Sequence, residues 1–135
     1  MFNKKKQPPI TSLIAEGTQI DGNVLFTDGL RVDGQVTGDV LAKESTPNLL
    51  VVSDAAVILG SLTADHIIVN GAVKGHVHAL RMLELQPKAR IEGDVHYAAL
   101  EMHQGALITG QLRPLVEGEE KPTLKLAANN WPENS

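Results

Sequence analysis

The sequence predicts an all-β protein, a single-stranded parallel β-helix of about six coils of roughly 17 residues, flanked by disordered tails. Three observations predict it. An aliphatic-x-Gly-x-aliphatic pattern occurs six times: Ile20-x-Gly22-x-Val24, Val36-x-Gly38-x-Val40, Ile58-x-Gly60-x-Leu62, Val73-x-Gly75-x-Val77, Ile91-x-Gly93-x-Val95 and Ile108-x-Gly110-x-Leu112. A second apolar pair keeps step with it, as Leu30 and Val32, Leu50 and Val52, Ile67 and Val69, Leu83 and Leu85, and Leu100 and Met102. After each second pair comes a residue suited to a bend: Gly34, Asp54, Gly71, Pro87 or Gly105. A helix would lose about 1 kcal/mol at each recurring glycine relative to alanine, so strands joined by bends are expected instead.

The slot glycines are Gly22, Gly38, Gly60, Gly75, Gly93 and Gly110, and the longest interval, from Gly38 to Gly60, holds the polar insertion Lys43-Glu44-Ser45-Thr46-Pro47. A repeat of this size with short alternating segments is the mark of a solenoid, in which equivalent residues of successive coils stack at about 4.8 Å. Ile20, Val36, Ile58, Val73, Ile91 and Ile108 then form one aliphatic column, and Val24, Val40, Leu62, Val77, Val95 and Leu112 another. In this reading Ile91, Gly93 and Val95 share one face of a strand, with glycine on the inward side where the narrow interior leaves no room for a side chain. A β-sandwich would not require glycine in the same slot six times.

Composition agrees with a thin aliphatic core: 42% of the 135 residues are hydrophobic but only 3% are aromatic. The absence of cysteine excludes disulfides, thiolate metal sites and thiol nucleophiles. A net charge of −4, with no basic stripe, disfavours nucleic acid as a partner.

Along the chain, residues 1–12 read as a flexible arm. Met1 and Phe2 precede Lys4, Lys5 and Lys6, and Pro8-Pro9 favours an extended linker. The apolar runs of a secretory signal or a membrane span are lacking, so the chain reads as neither exported by that route nor integral. The arm is expected to bind an anionic membrane surface. Residues 13–116 form the β-helix, and residues 117–135 a disordered tail in which Trp131 is the one candidate docking residue, though it reads as incidental. A solenoid with no capping helix presents unpaired strand edges and an aliphatic layer at both ends. Leu13, Ile14 and Ile20 at one end, with Ile108, Leu112 and Leu115 at the other, are the expected polymer contacts.

No residue pattern supports catalysis. Gly105-x4-Gly110 has the glycine spacing of a Walker A loop, but Gln111 and Leu112 replace its lysine and hydroxyl residue, and no nucleotide or other cofactor is expected. Ser12, Ser45, Ser53, Ser61 and Ser135 lack a nucleophile signature. His76 and His78 stack one coil below Asp94 and His96, a geometry that could suit a surface metal ion; a solvated polar face, shared with Thr63 and Arg113, is the favoured reading.

The whole pattern resembles the bactofilins. The resemblance rests on the short arm with Met1-Phe2 and lysines, the Gly17-Thr18-Gln19-Ile20-Asp21-Gly22-Asn23-Val24 segment, the regular succession of coils and the unstructured ends. It implies a right-handed β-helix that polymerises without nucleotide into cytoskeletal filaments at the inner face of the bacterial cytoplasmic membrane. Partners in cell shape, wall synthesis or polar organisation are implied with it. Two other readings compete: an enzyme built on the left-handed β-helix of acyltransferases or of one carbonic anhydrase type, and a monomeric binding rod. Coils of uneven length, each with one slot glycine, break the hexad register of the left-handed class.

Overall fold

The computed structural model describes residues 9–43 and 47–115. Every element among them is a β-strand, and each of six coils has three short strands. The first coil is β1 (Ser12–Ile14), β2 (Gln19–Asp21) and β3 (Val24–Phe26); the second is β4 (Gly29–Val32), β5 (Gln35–Thr37) and β6 (Val40–Ala42). β7 (Leu49–Val52), β8 (Val57–Leu59) and the start of β9 (Leu62–Val69) make the third. The rest of β9, with β10 (Ala72–Lys74) and the start of β11 (Val77–Leu85), makes the fourth. The fifth is the rest of β11 with β12 (Arg90–Glu92) and β13 (Val95–Tyr97), and the sixth is β14 (Leu100–Met102), β15 (Leu107–Thr109) and β16 (Leu112–Pro114).

All pairings are parallel, one coil on the next. The second face is a six-stranded sheet; the first and third faces merge into one ten-stranded sheet because β9 and β11 run through the corner between them. Both expected columns are present in register, Ile20 on Val36 on Ile58 on Val73 on Ile91 on Ile108, and Val24 on Val40 on Leu62 on Val77 on Val95 on Leu112. The second apolar pairs stack likewise on the first face. A further inward column pairs Phe26 with Ala42 and sets Ala64, Ala79 and Tyr97 in line. Rings therefore stand towards its ends and alanines in its middle, which is how a core can be built with so few aromatics.

One detail differs from the sequence reading. The aliphatic-x-Gly-x-aliphatic unit is not one strand: Gly and the residue after it turn a corner between the second and third faces. The glycine is needed because the coils stack backbone on backbone there. A Cβ on Gly38, Gly60, Gly75, Gly93 or Gly110 would lie 2.0–2.2 Å from the carbonyl oxygen of the slot glycine one coil earlier. The residue after each glycine then supplies a side-chain acceptor to the next coil. Asp39 N–H donates to Asn23 Oδ1 (2.9 Å), Ser61 N–H to Asp39 Oδ1 (2.9 Å), His76 N–H to Ser61 Oγ (3.2 Å), Asp94 N–H to His76 Nδ1 (3.1 Å) and Gln111 N–H to Asp94 Oδ1 (3.1 Å). Corner amides that strand pairing leaves over are satisfied in this way.

The corner between the first and second faces explains the uneven coil lengths. Its short form has two residues, Asp33-Gly34 or Asn70-Gly71, and its long form four, as in Ser53–Ala56, Gln86–Ala89 and His103–Ala106. These three close with a turn bond, from Ala56 N–H to Ser53 O, Ala89 N–H to Gln86 O and Ala106 N–H to His103 O, and bury the alanine; the first coil's corner closes likewise from Thr18 N–H to Ala15 O, with both residues exposed. The expected bend residues Gly34, Asp54, Gly71, Pro87 and Gly105 all fall on these corners. The two glycines of the Walker-like spacing thus sit on different corners of the sixth coil, separated by β15.

His78 and His96 pair across the third face with rings 4.5 Å apart and 7° from parallel. Burial first, then His96 and His76, push the His78 pKa below its ordinary 6.5; burial does the same at His66, against an opposing effect of Glu84. The folded pKa values are depressed, so the unfolded chain takes up more protons as pH falls past 6.5, and this contribution to stability is present above that pH and lost below it. Asp33 and Asp94, held below 3.8 chiefly by Ser53 and by the Gln111 amide, act only in more acid solution. Thermal unfolding followed by circular dichroism should therefore shift to lower temperature between neutral pH and mildly acid pH, and His78→Gln should reduce the shift; an identical shift in that variant would remove the stacked pair from the account.

Candidate assembly surfaces at the two ends of the rod

The three strands of the first coil and the three of the last each pair on one side only. Their other sides carry backbone groups with no neighbour among the described residues, the condition under which a sheet edge recruits another strand. Every aliphatic column also ends there. Val36, Ile58 and Val73 are fully buried in mid-column, whereas Ile20 and Ile108 at its two ends are half-buried.

At the first coil Ile14, Ile20, Val24, Phe26 and Leu30 line a hollow of about 360 Å³, with Leu13 and Leu25 at its rim. Ile14 points inward, in register with Val32, and is buried. Leu13 alternates to the outer side, opposite Arg31, and is 58% exposed, so it flanks the end layer and is not stacked within it. Val24 and Phe26 belong to this surface but were not anticipated, although both lie at inward positions of an alternating segment. Pro9 and Ile10 pass beside Gly29, where Thr11 N–H donates to Gly29 O (2.9 Å).

At the last coil Ile108 and Leu112 end their columns as expected, and Leu112 is 45% exposed. Leu115 lies past β16, half-buried, its N–H donating to Tyr97 O. Met102, 45% exposed, ends the column of Val32, Val52, Val69 and Leu85 and adds a residue the sequence reading left out of the interface. The second apolar pair already contained it.

The four residues weighed for a metal ion are used differently. His76 Nδ1 accepts the Asp94 amide, Asp94 Oδ1 accepts the Gln111 amide, and Arg113 Nε lies 3.4 Å from Asp94 Oδ2. The nearly parallel His78 and His96 rings set their in-plane nitrogens side by side and do not converge on one point. Met1, Phe2, Lys4, Lys5, Lys6 and Trp131 lie outside the described residues. No described helix is long and apolar enough to cross a membrane.

Known proteins place this architecture. The chain is similar to bactofilin BacO of Myxococcus xanthus (strain DK1622), 24% identical over 111 residues that cover 82% of this chain and 85% of the relative. No solved structure matches it. The family model described as "Bactofilin: Polymer-forming cytoskeletal" matches residues 12–113, from the first strand to the last. With a six-coil parallel solenoid and a family match over that whole span, the chain belongs to the bactofilin family.

Proposed function

We propose that this protein is the subunit of a filament that grows end to end without nucleotide and lies on the inner face of the cytoplasmic membrane. Its role there is that of a scaffold, with shape-determining, wall-synthesis or polar proteins as its partners, and not that of an enzyme. The observation that carries the reading is that both ends are uncapped among the described residues: single-sided strands, with Ile20, Val24 and Ile108 only half-buried and Met102 and Leu112 exposed. Joining two such ends covers aliphatic area, which contributes about 25 cal/mol per Å² removed from water.

Membrane attachment is assigned to Met1, Phe2, Lys4, Lys5 and Lys6. Near an anionic leaflet each lysine contributes about 1 kcal/mol. Inserting Met1 and Phe2 adds roughly 2 to 4 kcal/mol. Ordering the arm offsets part of this, so one subunit holds weakly; a filament with one arm per subunit attaches by many, and avidity grows with length. The competing role for this segment is a solubilising basic tail.

Negative-stain electron microscopy of the purified chain without nucleotide tests assembly, and co-sedimentation with anionic vesicles tests attachment. Filaments are expected in the first. In the second, full-length filaments should pellet with vesicles and filaments lacking residues 2–6 should stay in the supernatant. Monomeric rods at high concentration would overturn the polymer, and equal pelleting of both chains would remove the arm.

A further inference from the structure

The outer side of the first face carries three metal-ligating side chains on its last two coils that end-to-end assembly does not use. Glu84 and Glu101 are register partners across β11 and β14, and His103 opens the corner that follows. Stacking two carboxylates one strand apart is unfavourable unless a cation lies between them. His103 Nε2 is 3.3 Å from Glu84 Oε2 and 3.2 Å from Glu101 Oε2, and the three ligand atoms lie within 4.8 Å of one another. That nitrogen is shielded from solvent yet makes no well-formed hydrogen bond to either oxygen.

These separations have a simple geometric meaning. Ligand atoms about 2.0–2.2 Å from a tetrahedral ion are about 3.3–3.6 Å from each other, so the two His-to-Glu distances nearly match two edges of such a tetrahedron. Gln86 Nε2 donates to Glu84 Oε2 (3.3 Å) and fixes the oxygen that faces His103, the kind of outer hydrogen bond that orients a ligating carboxylate. Both points concern placement and hold without any assumption about protonation.

We propose that Glu84, Glu101 and His103 bind one divalent transition-metal ion of the zinc class, with its remaining position open to water. An imidazole and two carboxylates suit zinc or manganese, and the absence of sulfur ligands disfavours softer ions. Glu84 belongs to the fifth coil and the other two ligands to the sixth, so the ion ties the terminal coil to the rod. The competing occupant is a proton on His103 that bridges the two carboxylates as an ion pair.

Isothermal titration of the full chain with zinc chloride, and cobalt chloride followed by visible absorption, distinguish them. One ion per chain and an intense tetrahedral cobalt band are expected, both lost in Glu84→Gln, Glu101→Gln and His103→Gln, whose partly exposed positions leave the fold intact by circular dichroism. Gln86→Met should weaken binding by about tenfold. His78→Gln and His96→Gln should bind as the parent does. No heat at millimolar zinc would overturn the site in favour of the proton-bridged pair. Binding kept in His103→Gln and lost in His78→Gln would overturn it in favour of the stacked histidines.

Discussion

If the chain grows end to end as proposed, Leu112→Lys is expected to abolish long filaments and leave a folded, soluble rod. Leu112 is the last member of a column that is fully buried at Val40, Leu62, Val77 and Val95, and it is 45% exposed because no further coil covers it among the described residues. In an assembled end its burial contributes about 1.5–3 kcal/mol. Lysine removes that contribution and brings an ammonium ion into an apolar contact, which costs several kcal/mol more unless it is paired. At about 1.4 kcal/mol for each factor of ten, the critical concentration should rise by at least about a hundredfold. The unassembled chain already shows water to this position, so circular dichroism should match the parent.

The same variant reports how ends meet. Where like ends pair, blocking the last coil leaves a dimer joined through the first coils; where unlike ends pair, one blocked end stops every contact and leaves monomers. Sedimentation velocity separates the two, and Ile20→Lys should give the mirror result from the other end. Filaments of parental length and abundance in Leu112→Lys would mean that growth does not run through the column ends.

The interior of the fold was legible because two periods act on it together. Alternation within a strand decides which residues point inward, and the coil repeat decides which of them stack, so Ile58 or Leu83 is fixed by two independent registers. The corners were harder to read. Asn23, Asp39, Ser61, His76 and Asp94 perform one task, but they are of four different types and have in common only an acceptor atom within reach of the next coil's amide. Alternation continues across the slot glycine, which made a corner look like mid-strand; Ala56, Ala89 and Ala106 close their turns with a side chain too small to leave a pattern.

Site legibility followed the same division. Ile20, Ile108 and Leu112 could be placed at the ends because the columns run out there, and Phe26 and Met102 were reachable by the same logic. The outward direction of Leu13 was not legible, since it depends on the strand phase of β1, a segment of three residues with little pattern to fix it. The Glu84, Glu101 and His103 cluster was hidden by distance along the chain, since Glu84 meets the other two only through coil stacking.

Gly60→Ala unfolds the rod, whereas Gly22→Ala leaves it folded, although the two glycines occupy the same slot. Gly60 has no left-handed backbone angle, so alanine is conformationally acceptable there. The obstacle is the coil beneath. A Cβ on Gly60 would stand 2.0 Å from Gly38 O and 2.4 Å from its carbonyl carbon, well inside the 3.0 Å that real Cβ contacts essentially never breach. Relief requires moving backbone, and the backbone is held on both sides by Gly38 N–H to Leu59 O (3.0 Å), Val40 N–H to Ser61 O (2.9 Å) and Ser61 N–H to Asp39 Oδ1 (2.9 Å). Parting these coils opens a close-packed aliphatic interior, and the expected loss exceeds about 4 kcal/mol, in the range reserved for disrupted cores. That is a large share of the roughly 5–15 kcal/mol by which a domain is stable. Gly22 has no coil before it among the described residues, and a Cβ there meets nothing within 4 Å; its φ of +133° is the sole penalty, roughly 1–3 kcal/mol. Urea unfolding should therefore give a measurable but lowered midpoint for Gly22→Ala, with Gly60→Ala recovered only as aggregate or unfolded chain. Equal midpoints for the two would show that backbone contact between coils is not what demands glycine in the slot.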